Sequence, residues 1–388
     1  MTGPVADTCG PVTRAVTAGR AGEWAQRTVN PPLWRASTHL FPDCASLRAA
    51  RPDDADGHRF FYGRQGGPTH WALETALTEL EPGAAGAVLY PSGLAAVTGA
   101  LLTVLHPGDT LLLTRNVYGP TRAFAADVLA QFGVRVRTFD PLDHAAFSRL
   151  CREGAAAIML ESPGSLTFEV TDVPALAAIA RAQGAAVLID NTWATSLGFP
   201  ALTRGCDIAV TALTKHAGGH SDVLMGACTA GPEWHERLRH MARLLGHVVS
   251  PDDAALVLRG LRTLPLRLAR QQDSAVRVAG WLSGRSEVAE VRCPLLPGDP
   301  GHALWRRDFA GGCGLFAFAL RGTSRERDSF VDALRRFGIG YSWGGFESLA
   351  LPIDPPGAAA PMVRLSVGLE DTDDLLADLD QAFSRLRA

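Results

Sequence analysis

The stretch GAVLYPSGLAAVTGALLTVLHPGDTLLLT, residues 86–114, predicts a strand, a helix and a second strand in immediate succession. The runs GAVLY (86–90) and TLLLT (110–114) are almost entirely apolar, and GLAAVTGALLTVLH (93–106) between them has a helical pattern. Strands without polar alternation that are separated by helices are typical of a parallel sheet covered on both faces. The stretch therefore predicts an α/β fold.

The same alternation continues up to residue 212. Each further strand is a short apolar run, and most of them follow a helical segment. The predicted strands are 134–139, 156–161, 185–190 and 207–212, with helices near 120–132, 142–153 and 173–183. Because ligands of such sheets bind outside the carboxyl ends of the strands, we expect the functional site at that edge.

The flanking regions depart from this pattern. Residues 1–60 contain several prolines and little periodicity, which predicts an extended N-terminal arm. Residues 61–254 form the predicted large α/β domain, and residues 255–388 form a smaller α+β domain. Within the smaller domain, helices are predicted over 253–285 (broken near Pro265), over 324–337 and from Asp371, with strands over 314–320 and 363–368.

Composition argues against several classes of protein. The net charge of −3 gives no reason to expect nucleic acid or an anionic membrane as a partner. No apolar run reaches the roughly 18 residues of a membrane span, and residues 1–16 lack the apolar segment of a signal peptide. The seven scattered cysteines form no CxxC pair and favour the cytoplasm over a disulfide framework. His235 and His240 are too far apart to share a helix face, so no metal is expected.

The stretch ALTKHAGGHSD, residues 212–222, contains Lys215, the only lysine among the 37 basic residues of the chain. It follows a predicted strand and therefore lies at the expected ligand edge. A lysine amine can lose its proton and attack a carbonyl, whereas an arginine guanidinium stays protonated and cannot form a Schiff base. We therefore predict a catalytic role for Lys215; retention by chance is the alternative.

Two other strand ends carry groups suited to a ligand. Asp190 ends a buried strand, where it is either an N-cap for the next segment or the partner of a protonated ring nitrogen, as in pyridoxal phosphate. Gly93 and Leu94 open the helix after the first strand, and their N–H groups suit a phosphate, although strand–glycine–helix joints are common. Thr214 is placed to add a hydroxyl to the same phosphate.

Two arginines are further candidates. Arg64 lies in a loop, where it is either a bidentate phosphate ligand or an ordinary exposed arginine. Arg364 interrupts the apolar run VRLSVG (363–368), so its charge needs a buried anion or the carboxylate of a ligand.

Several stretches, taken in order, resemble the Cys/Met-metabolism family of pyridoxal-phosphate (PLP) enzymes, most closely its cystathionine β-lyases. The resemblance runs from about Thr28 to the C-terminus and implies the type I, aspartate aminotransferase-like fold of PLP-dependent transferases, with pyridoxal 5′-phosphate as cofactor. It is carried by FYGRQGGPTHWALETALTELE, YPSGLAAV, LESPGSLTFEVTDVPA, LIDNTWAT, LTKHAGGHSD, GLRTLPLRL, YSWGGFESL and VRLSVGLEDTDDL.

The resemblance implies a role for each residue around the cofactor. Lys215 is the implied Schiff-base lysine, Asp190 the carboxylate at the pyridine nitrogen, and Tyr118 the ring that stacks on the cofactor and shares in proton transfer. The implied phosphate ligands come from two chains: Gly93, Leu94 and Thr214 from one, and Tyr62 and Arg64 from a neighbouring subunit.

The resemblance also implies a substrate site and an assembly. Arg364 binds the α-carboxylate of a small amino-acid thioether, and Tyr341, Ser342 and Trp343 lie in the adjacent loop. The usual form of the family is a homotetramer, a dimer of dimers that share active sites, in which the N-terminal arm contacts a neighbouring subunit.

Tyr341 bears on the type of reaction. Relatives that act at Cγ tend to carry an acid at this position, so the tyrosine favours β-elimination on L-cystathionine or a related cysteine thioether. The expected products are a thiol (homocysteine), pyruvate and ammonia, either in methionine biosynthesis or in specialised metabolism. Three alternatives remain open: a γ-lyase or γ-replacement enzyme, a C–S lyase for another cysteine conjugate, and a non-catalytic protein that keeps the fold. A zinc hydrolase has only the two spaced histidines in its favour.

Three departures from the family pattern bear on cofactor affinity and substrate fit. His216 stands where a tyrosine is common, and Ala212 stands where a serine often supplies a hydroxyl. The pair Gly218-Gly219 is expected to loosen the loop that carries the lysine.

Overall fold

Two β-sheets organise the chain, one formed by residues 86–230 and the other by residues 288–366. The computed structural model describes residues 9–20, 22–25, 27–50, 58, 60–355 and 357–386. Within these residues the first sheet has seven strands and the second has five.

The seven-stranded sheet is mostly parallel, as predicted. Its strands within the described residues are β1 (Gly86–Tyr90), β2 (Thr110–Thr114), β3 (Arg135–Phe139), β4 (Ala157–Glu161), β5 (Ala186–Asp190), β6 (Ile208–Ala212) and β7 (Gly226–Ala230). The spatial order is β1-β7-β6-β5-β4-β2-β3, and only β7 runs antiparallel to its neighbours β1 and β6. Sequence inspection missed β7 because its residues, GACTA, are small and only weakly apolar. The carboxyl ends of β4, β5 and β6 therefore meet at one edge.

Helices cover both faces of this sheet. In β2, Leu112 packs into one hydrophobic cluster, whereas Leu111 and Leu113 pack into the cluster on the opposite face. Since successive side chains of a strand point to opposite faces, burial on both sides requires the unbroken apolar runs seen in the sequence. The predicted α/β class is confirmed.

The helices predicted from the sequence are all present among the described residues, but the helices over 11–17, 44–49, 68–80, 195–198, 232–244 and 302–308 were not predicted. The predicted helix at 120–132 begins as an α-helix and continues as a π-helical turn over Ala125–Leu129. The predicted break near Pro265 separates two helices, and Pro265 lies in the first turn of the second. The α-helices are α1 (Pro11–Thr17), α2 (Cys44–Ala49), α3 (Pro68–Leu80), α4 (Gly93–Val104), α5 (Gly119–Phe124), α6 (His144–Arg152), α7 (Val173–Arg181), α8 (Thr195–Gly198), α9 (Pro232–Leu244), α10 (Pro251–Leu261), α11 (Leu264–Ser283), α12 (His302–Asp308), α13 (Ser324–Ala333) and α14 (Thr372–Leu386).

The five-stranded sheet is mainly antiparallel. In the described residues it contains β8 (Val288–Arg292), β9 (Leu315–Leu320), β10 (Gly338–Ile339), β11 (Leu349–Ile353) and β12 (Met362–Ser366), in the order β10-β11-β12-β9-β8. The two predicted strands, β9 and β12, are buried along their whole length. The missed strands are partly exposed and carry charges, a proline or only two residues, so they show no clear period.

The N-terminal region is more ordered than an extended arm. Helix α1 packs on the chain itself: Ala15 and Ala18 are buried, and Arg262 Nη1 donates to the carbonyl oxygens of both, at 3.1 and 2.8 Å. Sequence inspection missed this helix because it is only seven residues long and has one buried side chain. Residues 1–8 and 51–57 of the predicted arm lie outside the described residues. Residues 1–8 are half of the segment 1–16, which was predicted not to be a signal peptide. No helix in the described part of the chain is both long and apolar enough to cross a membrane.

Candidate active site

A cavity of about 270 Å³ lies at the carboxyl ends of β4, β5 and β6, where the five-stranded sheet faces the seven-stranded one. Ten of the twelve predicted site residues line it, which shows that the structure brings together groups up to 271 positions apart (Gly93 to Arg364). These ten are Gly93, Leu94, Tyr118, Asp190, Thr214, Lys215, Tyr341, Ser342, Trp343 and Arg364.

Lys215 lies in a tight turn after β6, and its amine points across to the loop that precedes β11. Its Nζ donates to Ser342 Oγ at 2.6 Å and lies 5.5 Å from the centre of the Trp343 ring. Burial and the positive charge of Arg364 together lower the pKa of the Lys215 amine to about 8, although the negative charge of Asp190 opposes them. About a tenth of the amine is therefore neutral at pH 7 and about half at pH 8, far more than for an ordinary lysine.

The turn that carries Lys215 is held by the buried Arg267. Arg267 Nη1 donates to the carbonyl oxygen of His216 at 2.7 Å, and Nη2 donates to that of Gly260 at 2.7 Å. Gly219 has φ +70°, and a Cβ atom there would lie 2.0 Å from Arg267 Nη1. The double glycine therefore allows the loop to close on Arg267, contrary to the expectation that it loosens the loop.

His216 is buried in the turn that carries Lys215. Its ring lies edge-on to Trp343, with 5.2 Å between the ring centres. Burial lowers the pKa of His216 to about 3, with contributions from Arg267 and Lys215, so the ring is neutral. His216 thus packs as an uncharged aromatic ring between Lys215 and the loop of the second sheet.

Asp190 ends β5 inside the cavity. Its Oδ1 accepts hydrogen bonds from the backbone N–H of Thr192, at 3.0 Å, and from the Thr192 hydroxyl. No bond to Oδ2 is found among the described residues, so this oxygen is available to a ligand. Burial raises the pKa of Asp190, whereas the Thr192 bonds and the charge of Lys215 lower it. Asp190 does not cap α8, whose N-cap residue is Ala194.

Helix α4 points its N-terminus at the cavity. Ser92 is its N-cap and accepts the N–H of Ala95 at 3.1 Å, which leaves the N–H groups of Gly93 and Leu94 at the cavity wall. A Cβ atom on Gly93 would lie 2.6 Å from the Cβ of Ala212, so the glycine is needed for the helix to approach β6. This arrangement suits an anion such as a phosphate.

Thr214 lines the cavity, but its hydroxyl is already engaged. Thr214 Oγ1 donates to the carbonyl oxygen of Met225 at 3.2 Å and accepts the Met225 N–H at 3.0 Å. In this arrangement the side chain ties the lysine turn to the start of β7.

Arg364 is a buried cation on β12. Its Nη2 donates to the carbonyl oxygen of Ser342 at 3.0 Å, and among the described residues no carboxylate lies within ion-pair distance of it. Ser342 has φ +75°, an uncommon conformation for a residue with a side chain. A buried guanidinium without an acidic partner suits the carboxylate of a ligand. Tyr341 is 86% exposed and lies at the cavity mouth.

Tyr62 and Arg64 lie outside the cavity. Tyr62 is 48% exposed, and Arg64 Nη1 donates to the carbonyl oxygen of Arg243 at 2.9 Å. A single chain therefore does not bring them to the other candidates, and their contribution from a neighbouring subunit stays a prediction.

The cavity residues that sequence inspection missed include Glu161, Thr192 and Trp193. Glu161 ends the run AAIMLE in the same way as Asp190 ends AAVLID, so the signal was present. Trp193 Nε1 donates to the carbonyl oxygen of Leu315 in β9 at 3.1 Å, a contact between sheets that no local pattern predicts.

The fold and this lysine-centred cavity define a PLP-dependent enzyme of the type I fold. The family model described as Cys/Met metabolism PLP-dependent enzyme matches residues 12–384. The chain belongs to this family, as the sequence resemblance predicted.

Relatives within the family are similar along nearly the whole chain. The cystathionine β-lyase of Escherichia coli K12 is 41% identical over 389 residues, 96% of this chain and 98% of its own length. That of Salmonella typhimurium LT2 is 40% identical, with the same coverage. A crystal structure of cystathionine γ-synthase from Xanthomonas oryzae pv. oryzae in complex with cystathionine has a TM-score of 0.90 and 33% identity, covering 98% of this chain and 99% of its own.

The cavity fits pyridoxal 5′-phosphate in its donor set. A primary amine, an anionic carboxylate and a helix N-terminus lie on its wall, and these are the groups needed for the aldehyde, the ring nitrogen and the phosphate. The predicted cofactor is therefore consistent with both the family and the cavity.

We expect the amine of Lys215 in the cofactor-free protein to titrate with a midpoint of about 8, because it is buried beside Arg364. Acetylation rate against pH, followed by peptide mass spectrometry, isolates this side chain since it is the only lysine. Arg364→Met is expected to raise the midpoint, and the exposed Arg306→Met to leave it unchanged. A midpoint near 10.5 would contradict the environment described here.

Gly219→Ala is expected to destabilise the protein by about 2 kcal/mol or more, because the new Cβ meets Arg267 in a left-handed backbone conformation. Gly280→Ala in α11 is the matched control, since nothing lies within 4 Å of its added Cβ. That control is expected to gain about 0.5–1 kcal/mol from helix propensity. Urea unfolding of the two variants checks this; equal effects would refute the close packing of the lysine turn.

Proposed function

We propose that the protein is a PLP-dependent carbon–sulfur lyase that eliminates the thiol from Cβ of L-cystathionine or a related cysteine thioether. One water is consumed, and the products are a thiol (homocysteine from cystathionine), pyruvate and ammonia. The observation that carries the proposal is the Lys215 amine, held by Ser342 and placed beside Arg364 in one cavity. The names of the relatives support the choice of substrate.

Arg364 orients the substrate. Its guanidinium uses one nitrogen for the carbonyl oxygen of Ser342, and the remaining donors suit the substrate α-carboxylate. Because the group is buried, its attraction for that carboxylate is screened less than on the surface. Because Arg364 and Lys215 line the same cavity, a substrate held by its carboxylate at Arg364 has its Cα within the space that the Lys215 amine faces.

Lys215 is the proposed base. PLP, when bound, supplies an electron sink that stabilises negative charge at Cα, and Asp190 is placed to hold its ring nitrogen protonated. The Lys215 amine, whose pKa is lowered to about 8 by burial, takes the Cα proton and can then deliver it to the departing sulfur. Ser342 Oγ accepts a hydrogen bond from Nζ and thereby fixes the direction of its lone pair.

The exposed Tyr341 supports β-elimination over γ chemistry. It lies at the cavity mouth, at the position where relatives that act at Cγ tend to carry an acid, so no carboxylate is present there to serve as a base for a second proton transfer at Cβ. The second candidate is a γ-lyase or γ-replacement activity, favoured by the similarity to the cystathionine γ-synthase structure.

The assembly and location belong to the same proposal. Exposed apolar side chains lie in the N-terminal arm: Leu33 at 41%, Trp34 at 39%, Leu40 at 93% and Phe60 at 45%. Such a surface suits burial against another copy, which supports a homotetramer built of dimers with Tyr62 and Arg64 reaching the partner's cavity.

The seven free thiols support a location in the cytoplasm. We retain the boundaries 1–60, 61–254 and 255–388 for the arm and the two domains.

With L-cystathionine, the wild-type protein is expected to release pyruvate. Lys215→Ala and Lys215→Arg are expected to lower kcat by at least about a thousandfold, because neither provides an amine that can be neutral. Product analysis with lactate dehydrogenase and mass spectrometry distinguishes pyruvate from 2-oxobutyrate. Predominant 2-oxobutyrate would replace the β-lyase proposal with a γ-lyase.

Mixing two inactive variants, Lys215→Ala and Arg64→Ala, is expected to restore activity after co-refolding. In the hybrid dimer, one cavity receives Lys215 from one chain and Arg64 from the other. Random pairing gives a restored cavity in half of the dimers, or about a quarter of wild-type sites. No restoration, in hybrids confirmed by native mass spectrometry, would contradict the shared-site assembly.

A further inference from the structure

Glu161 is an acid in the cavity with no role in the scheme above. It ends β4 directly beside Asp190, which ends β5, and the two residues are paired in the register of the parallel strands. Like Asp190 it lines the cavity. Two carboxyl groups at adjacent strand ends repel one another when both are ionised, so the second acid requires an explanation.

The contacts of Glu161 point to Tyr118. Glu161 Oε2 accepts the backbone N–H of Tyr118 at 2.7 Å, and the Ser165 side chain forms a further hydrogen bond to the carboxyl. Tyr118 is the N-cap residue of α5, and its own side chain forms no capping bond. Glu161 is therefore the group that ties the start of α5 to the sheet edge.

We propose that Glu161 is a positioning residue that holds Tyr118, through its backbone N–H, in the place where its ring covers the cofactor. The inference rests on the proposed function for the role of the Tyr118 ring. It also explains why the ring of Tyr118 keeps a defined position over the cavity although this residue is 45% exposed. A displaced ring would leave one face of the cofactor open to water.

The charge state of Glu161 agrees with this role. Burial raises the pKa of the Glu161 carboxyl well above its usual range, Asp190 and Glu169 raise it further, and the bonds from Tyr118 and Ser165 oppose the rise. A neutral carboxyl still accepts a hydrogen bond through its carbonyl oxygen, as a carboxamide does. A Glu161 carboxyl in this form would leave Asp190, the residue that would hold the ring nitrogen of PLP, without a charged neighbour on β4.

Different substitutions of Glu161 are expected to have different effects, depending on whether they keep a hydrogen-bond acceptor. Glu161→Gln keeps the acceptor for the Tyr118 N–H and the neutral charge, and is expected to keep kcat within about threefold and the pH profile unchanged. Glu161→Leu removes the acceptor and is expected to lower kcat by about tenfold or more, with less effect on KM. Glu169→Gln, a neighbouring acid whose carboxyl is not bonded to Tyr118, is the matched control and is expected to behave as the wild type.

A double-mutant cycle separates positioning from general stability. If Glu161 acts through Tyr118, Glu161→Leu combined with Tyr118→Ala loses no more kcat than Tyr118→Ala alone. Unfolding temperatures identify variants that fail to fold; Glu161→Ala replaces Glu161→Leu in that case. Additive losses in the cycle, full activity of Glu161→Leu, or equal damage by Glu161→Gln would each overturn the proposal.

A second readout does not depend on lyase activity. The visible circular dichroism of bound PLP reports how its ring is held, and the dissociation constant of PLP is measurable on the cofactor-free protein. We expect Glu161→Leu and Tyr118→Ala to alter both in the same direction, and Glu161→Gln to alter neither. If the wild type lacked lyase activity, the proposed function would fail while this comparison still tested Glu161. An unchanged dichroism and affinity in Glu161→Leu would contradict the positioning role.

Discussion

The hydrogen bond from Lys215 Nζ to Ser342 Oγ is the contact around which this structure is arranged. It spans 2.6 Å and joins the turn after β6 to the loop before β11, so it forms only when the two sheets are correctly placed. The burial that comes with it lowers the pKa of the amine to about 8. The contact therefore sets the position of the group proposed as the base, while burial and the charge of Arg364 set its protonation.

The surroundings of the lysine turn serve that contact. Arg267 donates hydrogen bonds to the carbonyl oxygens of His216, in the turn, and of Gly260. Trp343 packs on the neutral ring of His216. Arg267 and His216 are buried and Trp343 is partly buried, and close packing of this kind keeps a reactive side chain in one geometry. The exposed residues of the site, Tyr118 and Tyr341, lie instead at the mouth, where substrate and product pass.

Sequence reasoning succeeded where a short segment of the chain is enough to predict both a strand and a functional residue at its end. The apolar runs that end in Asp190 and precede Lys215 predict strands, because a strand buried on two faces is apolar along its length. They also predict a site, because ligands bind at the carboxyl ends of such strands. It failed for β7, whose residues GACTA are small and only weakly apolar, and for the packing role of Gly219, which depends on Arg267 forty-eight positions later (219 to 267). Contacts between distant segments, such as Trp193 with Leu315, have no local pattern. Glu161 differs from these, since the same strand-end signal was present and was overlooked.

The central claim is that Lys215 is the residue that binds the cofactor. Borohydride reduction of the PLP-loaded protein, followed by proteolysis and mass spectrometry, tests it most directly, because reduction fixes the cofactor to whichever amine holds it. The account predicts a pyridoxyl-phosphate mass on the peptide that contains Lys215, the only lysine of the chain. Label on the N-terminal amine alone, or no stable label after reduction, would contradict it.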